Sequence, residues 1–556
     1  MLGVAASAQS EVDAAAKWMS RAHDCAMLRD MMRPNLRCSV SLLSLIMVLL
    51  GSSASQAQTV PTGFVDQPIV TGLSRPVAFE FVPDSPGHVR VLVAQQLDAR
   101  VRLVRDGVLL TDVLTVPGIA AGGEKGLLGI AMDPAFPARP YLYVHGDDAS
   151  GTSIRISRFT LTGDLFGVGT GALSADPASR FDLIADVPDL AGNHNGGTVR
   201  FGPDGMLYAS FGEDADACGA QDSTLLKGVI LRLDVSRIPA GPGSAPRAMV
   251  TPADNPYVAS ADSNARLVAA FGLRNPFRFQ IDMQRQWLVI ADVGQDQLEE
   301  LDLLRLGAIS APGTATLGAD FGWPWFEGDA PLDVCAGNSA GVIPPIVTYD
   351  HSGGAVSIIS AGAYHAVSGA ASNWPAEYEG DLFFSDYSAG FLRRLEQGAG
   401  GWSLAAAVPG QPTASNWGGG YTLVSDYRVG PDGSLWYVRN AGSGALRRIM
   451  YQGGGAPPPP PSSFTIQRFD SHPQPAVGSV TFDLDLSESA SIELRLFDAR
   501  GRRVRTLRDR TLFPAGPQNV VWDGLGDHGE RVPAGQYFAR LEVRGIRRAH
   551  GITLLR

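Results

Sequence analysis

The chain has 556 residues, too many for one ordinary domain, and its 45% apolar content can bury a sizeable core, which excludes wholesale disorder. A formal net charge of −11 argues against a nucleic-acid partner and against adsorption to anionic membranes. With 65 glycines and 38 prolines, the composition is that of a turn-rich, all-β protein.

The first predicted element is a leader, within an N-terminal extension and signal peptide at 1–57. Arg33 and Arg37 precede an apolar run from Val40 to Leu50, and Ser55-Gln56-Ala57 supplies small residues for cleavage. The run is too short to span a bilayer. This pattern predicts an exported protein, periplasmic or extracellular, with no membrane span in the mature chain. Its position points to translation from Met31 or Met32, with a genuine N-terminal extension as the alternative.

The body follows, over 65–450. Six strand candidates of one kind recur along it: Val89 to Ala94, Tyr141 to Val144, Met206 to Ala209, Trp287 to Ile290, Asp381 to Phe384 and Ser434 to Val438. Gly-Pro-Asp-Gly stands at 202–205 and again at 430–433, each time before an aromatic strand. A repeated turn-then-aromatic-strand unit predicts a β-propeller. No convincing strand–helix alternation and no Gly-x-Gly-x-x-Gly helix start appear, which argues against a Rossmann oxidoreductase. Cys25 and Cys38 fall in or before the leader, leaving Cys218 and Cys335 for one disulfide in an oxidising compartment or for two free thiols.

A Gly/Pro linker occupies 452–463, with Pro457 to Pro461 unable to pack as an element interior. In the tail, 464–556, Ile492, Leu494 and Leu496 alternate with Glu493 and Arg495, and Tyr537, Ala539, Leu541 and Val543 alternate with Arg540 and Glu542. This predicts a small Ig-like β-sandwich with one solvated face per sheet. The arginines between Arg500 and Arg510 read as part of such a face rather than as a binding patch.

Three segments of the body carry candidate chemistry. His194 is followed by Asn195-Gly196-Gly197, and glycines without side chains let a backbone or a flat ligand approach an imidazole able to take a proton. A buried core histidine is the alternative. Arg274-Asn275 before Pro276 can present a guanidinium and an amide to a cavity, or form a structural ion pair. Gly294, with Asp296, Glu299 and Glu300 nearby, can offer carbonyl and carboxylate oxygens to Ca²⁺, or form a solvated loop.

Taken in order, GEKGLLGIAMDPAF, NHNGGTVRFGPDGMLY, LLKGVILRLDV, ADNPYV, FGLRNPFRF, ADVGQDQLEE and FGWPWFEG make the body resemble the glucose/sorbosone dehydrogenase family. That family comprises the soluble quinoprotein sugar dehydrogenases and a hedgehog-interacting-protein-like branch. The resemblance implies a six-bladed β-propeller with the site at its axial mouth and pyrroloquinoline quinone (PQQ) lying over Ca²⁺. It implies His194 as the general base for a sugar hydroxyl, Arg274 as stabiliser of the reducing quinone, and Asn275 as a cofactor contact. Backbone carbonyls of Gly294 and Gln295 match the Ca²⁺ ligands, with Glu300 counted beside them as a metal residue. Glu124 falls at a substrate-contacting position where the sugar-oxidising members carry glutamine; glutamate keeps an acceptor and loses a donor. The substrate implied is a sugar or polyol, and the electrons pass on to an external acceptor.

The sequence departs from that pattern at the cationic clamp of the quinone. No lysine occurs beyond Lys227; Tyr387 stands about where the family carries one, and Leu423 and Ser425 stand at its two arginine positions. Arg428 lies an odd number of residues away, on the opposite face of a continuous strand. Each lost charge-assisted hydrogen bond costs ~1.5–3 kcal/mol. The quinone's carboxylates are then under-compensated unless an arginine from another loop stands in. The rival expectation is a non-catalytic propeller that binds a carbohydrate or protein. The tail resembles the FlgD-type immunoglobulin-like module, through Ile492 to Phe497, Val521-Trp522-Asp523-Gly524 and Val532 to Tyr537, which implies attachment at the cell surface or a spacer.

Overall fold

A computed structural model describes residues 58–306, 315–332, 334–337, 339–354, 356–398, 400–453, 466–486, 490–513, 516–543 and 546–555. The leader and most of the linker lie outside the described residues. Those described fall into two compact units, divided near residue 455.

Short turns join successive strands of the first unit, so the chain builds antiparallel sheets one after another. Six such sheets begin at the strands Pro76–Val82, Leu127–Met132, Val199–Phe201, Arg278–Asp282, Ile358–Ala363 and Val424–Val429. These six strands are neighbours in cyclic order, the last lying beside the first, which makes the unit a β-propeller with these strands around its axis. Each strand candidate read from the sequence is the second strand of one of the six sheets, as Arg90–Gln95 is beside Pro76–Val82. The last sheet takes the strand Phe64–Leu73 as its outer edge, paired antiparallel with Gly444–Tyr451, so the two ends of the body close the ring together.

The Gly-Pro-Asp-Gly repeat has one structural job at both sites. Asp204 accepts hydrogen bonds from the Tyr208 hydroxyl and Arg232 Nε, and Asp432 accepts them from Trp436 Nε1 and Arg448 Nη1. The turn carboxylate thereby ties the aromatic residue of the second strand to an arginine of the third. Between the sheets lie apolar layers; Leu207, Ala209, Leu231 and Ile156, for example, share one cluster.

Polar side chains fill the centre of the ring. Arg278 is fully buried and donates from Nε to Ser425 O (2.7 Å) and from Nη2 to Val77 O (2.9 Å) and Leu128 O (3.2 Å). Its Nη1 reaches Thr198 Oγ1 at 3.2 Å. One guanidinium therefore binds residues of four sheets. Asp426 accepts both carboxylate bonds of Arg200 Nη2 (2.7 and 2.9 Å), Gln280 Nε2 (3.0 Å) and the Phe79 N–H (3.2 Å). Burial acts to raise its pKa, and Arg200, Arg278 and Arg428 overcome that and hold it below 3.8. Arg428 itself pairs with Glu80 at 2.6 Å and does not line the mouth described below.

The second unit packs the sheet Ile466–His472, Val480–Leu486 and Gly516–Trp522 on a five-stranded sheet that includes Ala490–Asp498, Gly535–Val543 and Ile546–Leu555. Phe482, Leu484 and Trp522 meet Ile492, Leu494, Leu496, Ala539 and Leu541 in its core, as the alternation requires. Among the described residues no helix is long and apolar enough to cross a membrane.

Breaking a buried ion pair by neutralising one partner costs about 3–5 kcal/mol. Asp426→Asn is therefore expected to lower the unfolding free energy by that amount at pH 7, measured by urea titration; a loss under about 1 kcal/mol would contradict the axial role. Because the folded pKa is depressed, the Asp426 contribution is complete above pH 3.8 and lost as pH falls through the folded value. The difference between wild type and variant should shrink in that acid window.

Candidate active site

A cavity of about 350 Å³ opens where loops from the ends of the axial strands converge. Its lining draws Glu124, His194, Arg274 and Tyr387 from four different sheets' loops. That volume suits a single small organic ligand.

His194 is held in a left-handed conformation with φ +61°, uncommon for a residue with a side chain. The strand end at Gly212 permits it: a Cβ there would lie 2.0 Å from the His194 carbonyl oxygen. Nδ1 of the imidazole lies 2.6 Å from Glu213 Oε1, and the Glu213 N–H in turn donates to the Arg274 carbonyl. A buried carboxylate at Nδ1 selects the tautomer protonated there and leaves the lone pair on Nε2. Glu213 was not legible as a partner of His194, since the two meet only through strand pairing.

Glu124 reaches the same mouth and accepts the His194 backbone N–H at Oε2 (2.8 Å). Its side chain is open at the surface but set in the concavity. Desolvation there outweighs that hydrogen bond and the attraction of His194 and Arg274, and raises its pKa above 4.5.

The Arg-Asn pair is fixed by Asp292, whose carboxylate accepts the backbone N–H groups of Arg274 (2.8 Å) and Asn275 (2.6 Å). Burial pushes the Asp292 carboxyl up to about 7 against those two bonds. Asn275 Oδ1 accepts the Gly196 N–H at 3.0 Å, which links this pair to the loop of His194. The Arg274 guanidinium sits 5.5 Å from the Trp323 ring and donates from Nη1 to the carbonyls of Val293 (2.8 Å) and Gly294 (2.7 Å).

Gly294 and Gln295 line the cavity. Gly294 must be glycine, because a Cβ there would lie 1.7 Å from Leu298 O. The loop is organised by Glu327, whose Oε1 accepts the N–H groups of Gln295 and Asp296 (2.7 Å each), Gln297 (2.8 Å) and Leu298 (3.2 Å). Glu327 lies in the FGWPWFEG segment, which the sequence singled out without a role. Gln221 Nε2 donates to Trp323 O of the segment, and the disulfide Cys218–Cys335, which spans 117 residues, ties the chain beyond it to the same turn.

Glu300 is not a group of the mouth. It lies on the strand Leu298–Arg305, paired opposite Asp292, and burial with Asp302 and Asp292 beside it raises its pKa well above 4.5. It does not line the cavity. Glu299, its neighbour, meets His351 Nε2 and accepts the N–H groups of Ile358 and, at 3.4 Å, Gly294. Among the described residues no trio of His, Cys, Asp or Glu is arranged to hold a metal. Toward a cation the mouth presents the Glu124 carboxylate and the backbone of Gly294 and Gln295, the Gly294 carbonyl already accepting from Arg274 Nη1. At the clamp positions, Tyr387 and Ser425 line the cavity and Leu423 does not; Arg75, unremarked in the sequence, lines it as well.

A family model described as Glucose / Sorbosone dehydrogenase matches residues 73–448, and one described as FlgD Ig-like domain matches 472–544. HIPL1 protein of Arabidopsis thaliana is 33% identical over 176 residues, 29% of this chain and 24% of that protein. Aldose sugar dehydrogenase YliI of Escherichia coli is 27% identical over 263 residues, 45% of this chain and 59% of that protein. The chain thus spans less than two thirds of the length of either relative. The solved apo-form of the soluble aldose sugar dehydrogenase of Escherichia coli superimposes with a TM-score of 0.52 at 19% identity, covering 70% of this chain and 99% of that one, a likeness of fold.

Removing the acceptor of four N–H groups should loosen the 294–298 loop. Glu327→Ala is expected to speed amide hydrogen exchange at 295–298 at least about tenfold, while the axial strands keep their protection. Unchanged exchange in that loop would show that Glu327 does not hold it.

Proposed function

The chain belongs to the glucose/sorbosone dehydrogenase family, and from that premise we propose that it is an exported sugar or polyol dehydrogenase using PQQ with Ca²⁺. One observation carries the reading: the His194–Glu213 pair opens into the same cavity as Arg274 and the Gly294 and Gln295 loop.

The donor set suits an acidic quinone and a hard cation. Arg75 and Arg274 supply positive charge, Asn275 an amide, and Gly294 and Gln295 carbonyl oxygens of the kind Ca²⁺ takes. When bound, the quinone with its Ca²⁺ supplies the hydride acceptor. The chain's own residues do the rest. His194 Nε2 takes the proton of the substrate hydroxyl, and the Glu213 carboxylate at Nδ1 stabilises the imidazolium formed. Arg274 sets a fixed cation against negative charge arising in the cavity. Glu124 fixes a second sugar hydroxyl by hydrogen bonding. An external acceptor then removes the electrons. The Cys218–Cys335 disulfide supports a periplasmic or extracellular site of action, and the C-terminal module serves attachment to the cell surface.

The second reading, a non-catalytic propeller that binds carbohydrate or protein, is favoured by Tyr387 and Ser425, uncharged residues that line the cavity at the clamp positions. Reduction of a dye by the purified protein with PQQ, Ca²⁺ and a panel of sugars separates the two. The enzyme reading expects saturable turnover, and His194→Ala should lose at least about 10²-fold of it with quinone binding intact. No reduction with any sugar would leave the binding reading in possession.

The raised pKa of Glu124 has its own signature. Below that pKa the carboxyl is protonated and donates as glutamine does; above it, it only accepts. KM of the wild type should change as pH rises from 4.5 through the folded pKa, and Glu124→Gln should flatten the profile. Parallel profiles would remove Glu124 from substrate recognition.

A further inference from the structure

The two guanidinium groups at the mouth are held differently. Arg274 spends Nη1 on two carbonyls. The exposed guanidinium of Arg75 has no hydrogen-bond or ion-pair partner among the described residues, yet its backbone is tightly fixed. Its φ is +42°, its N–H donates to Ala441 O (2.9 Å), and its carbonyl accepts the Gln96 N–H (3.0 Å). A left-handed conformation at a residue with a side chain is unfavourable and persists only where the surroundings impose it. The turn therefore delivers an unpaired cation to one corner of the cavity.

That corner is built from neighbouring polar groups. Tyr387 lies within the electrostatic reach of both Arg75, whose charge lowers the phenol pKa, and Glu124, which with the larger effect of burial raises it. Ser425 Oγ donates to the carbonyl of Pro76, the residue after Arg75. Asn440, beside Ala441, keeps a buried Oδ1 with no partner among the described residues. Two of these positions, 387 and 425, are those where the sequence lacks a cation, and Arg75 reaches the same corner from the opposite end of the body's sequence.

We propose that Arg75 and Tyr387 form a carboxylate subsite, with Arg75 as the anchoring cation. The carboxylate is one of those on the quinone or that of an acidic sugar; the inference rests on the quinone reading of the cavity only for the first source. A guanidinium takes a carboxylate in a two-point fork, which a lone ammonium cannot.

The test is equilibrium binding on the full chain. PQQ at fixed Ca²⁺, followed by quenching of tryptophan fluorescence, is titrated into wild type, Arg75→Gln and Arg75→Lys; glucuronate and glucose are compared separately without quinone. Thermal midpoints equal to wild type establish that the variants are folded, as expected for an exposed side chain. Arg75→Gln should raise Kd for the quinone at least about tenfold, with Arg75→Lys between it and wild type. If wild type binds quinone and Arg75→Gln binds it within twofold, the subsite is overturned and the functional reading stands. If wild type binds no quinone but prefers glucuronate to glucose, and Arg75→Gln loses that preference, the quinone reading fails and the subsite stands for acidic sugars. Binding of neither overturns both.

Discussion

Arg278 is the residue on which the rest of the molecule depends. When six strands converge on an axis, their edge carbonyls face a narrow centre where water cannot satisfy all of them. A planar guanidinium with donors in a fork satisfies several at once, and Arg278 does so for Val77, Leu128 and Ser425 while also reaching Thr198. Its burial pushes its own pKa down to about 10, with Asp426 opposing that effect. The loops of the mouth leave from these same strand ends. Arg75 precedes Val77 by two residues, and His194 precedes Thr198 by four. The spacing of the cavity wall is thus set by a polar contact beneath it.

Above that contact, carboxylates do the positioning. Asp292 fixes the Arg274–Asn275 pair, Glu213 orients His194, and Glu327 gathers the 295–298 N–H groups. None of the three supports is free to vary alone. The Glu213 N–H binds the Arg274 carbonyl, and Asn275 holds Gly196. The histidine, the arginine and the glycine loop therefore form one framework that joins two neighbouring sheets. Binding of a flat ligand to such a site orders few side chains, so little conformational entropy is lost.

Local signals made much of this legible. The aromatic second strands and the two Gly-Pro-Asp-Gly turns mark the propeller because each turn acts on residues two and four positions ahead. His194, Arg274 and the Gly294-Gln295 pair stand out because glycine and proline beside them punctuate the chain. The closing strand Phe64–Leu73 did not, since its partner Gly444–Tyr451 lies at the far end of the body. Glu300 neighbours the glycine loop in sequence, whereas the strand Leu298–Arg305 buries it opposite Asp292, outside the cavity lining. Glu213, Glu327 and Arg75 escape a linear reading for the same reason: each acts on a loop brought to it by the ring.

The central claim is that one axial cavity binds a quinone over the Gly294 and Gln295 carbonyls, within reach of His194. A crystal structure of the protein grown with PQQ and Ca²⁺ tests it most directly. The account predicts a flat ligand bounded by Arg75, Arg274 and His194, with a cation about 2.3–2.6 Å from both carbonyl oxygens. An empty cavity at saturating quinone, or a quinone seated elsewhere, would contradict it.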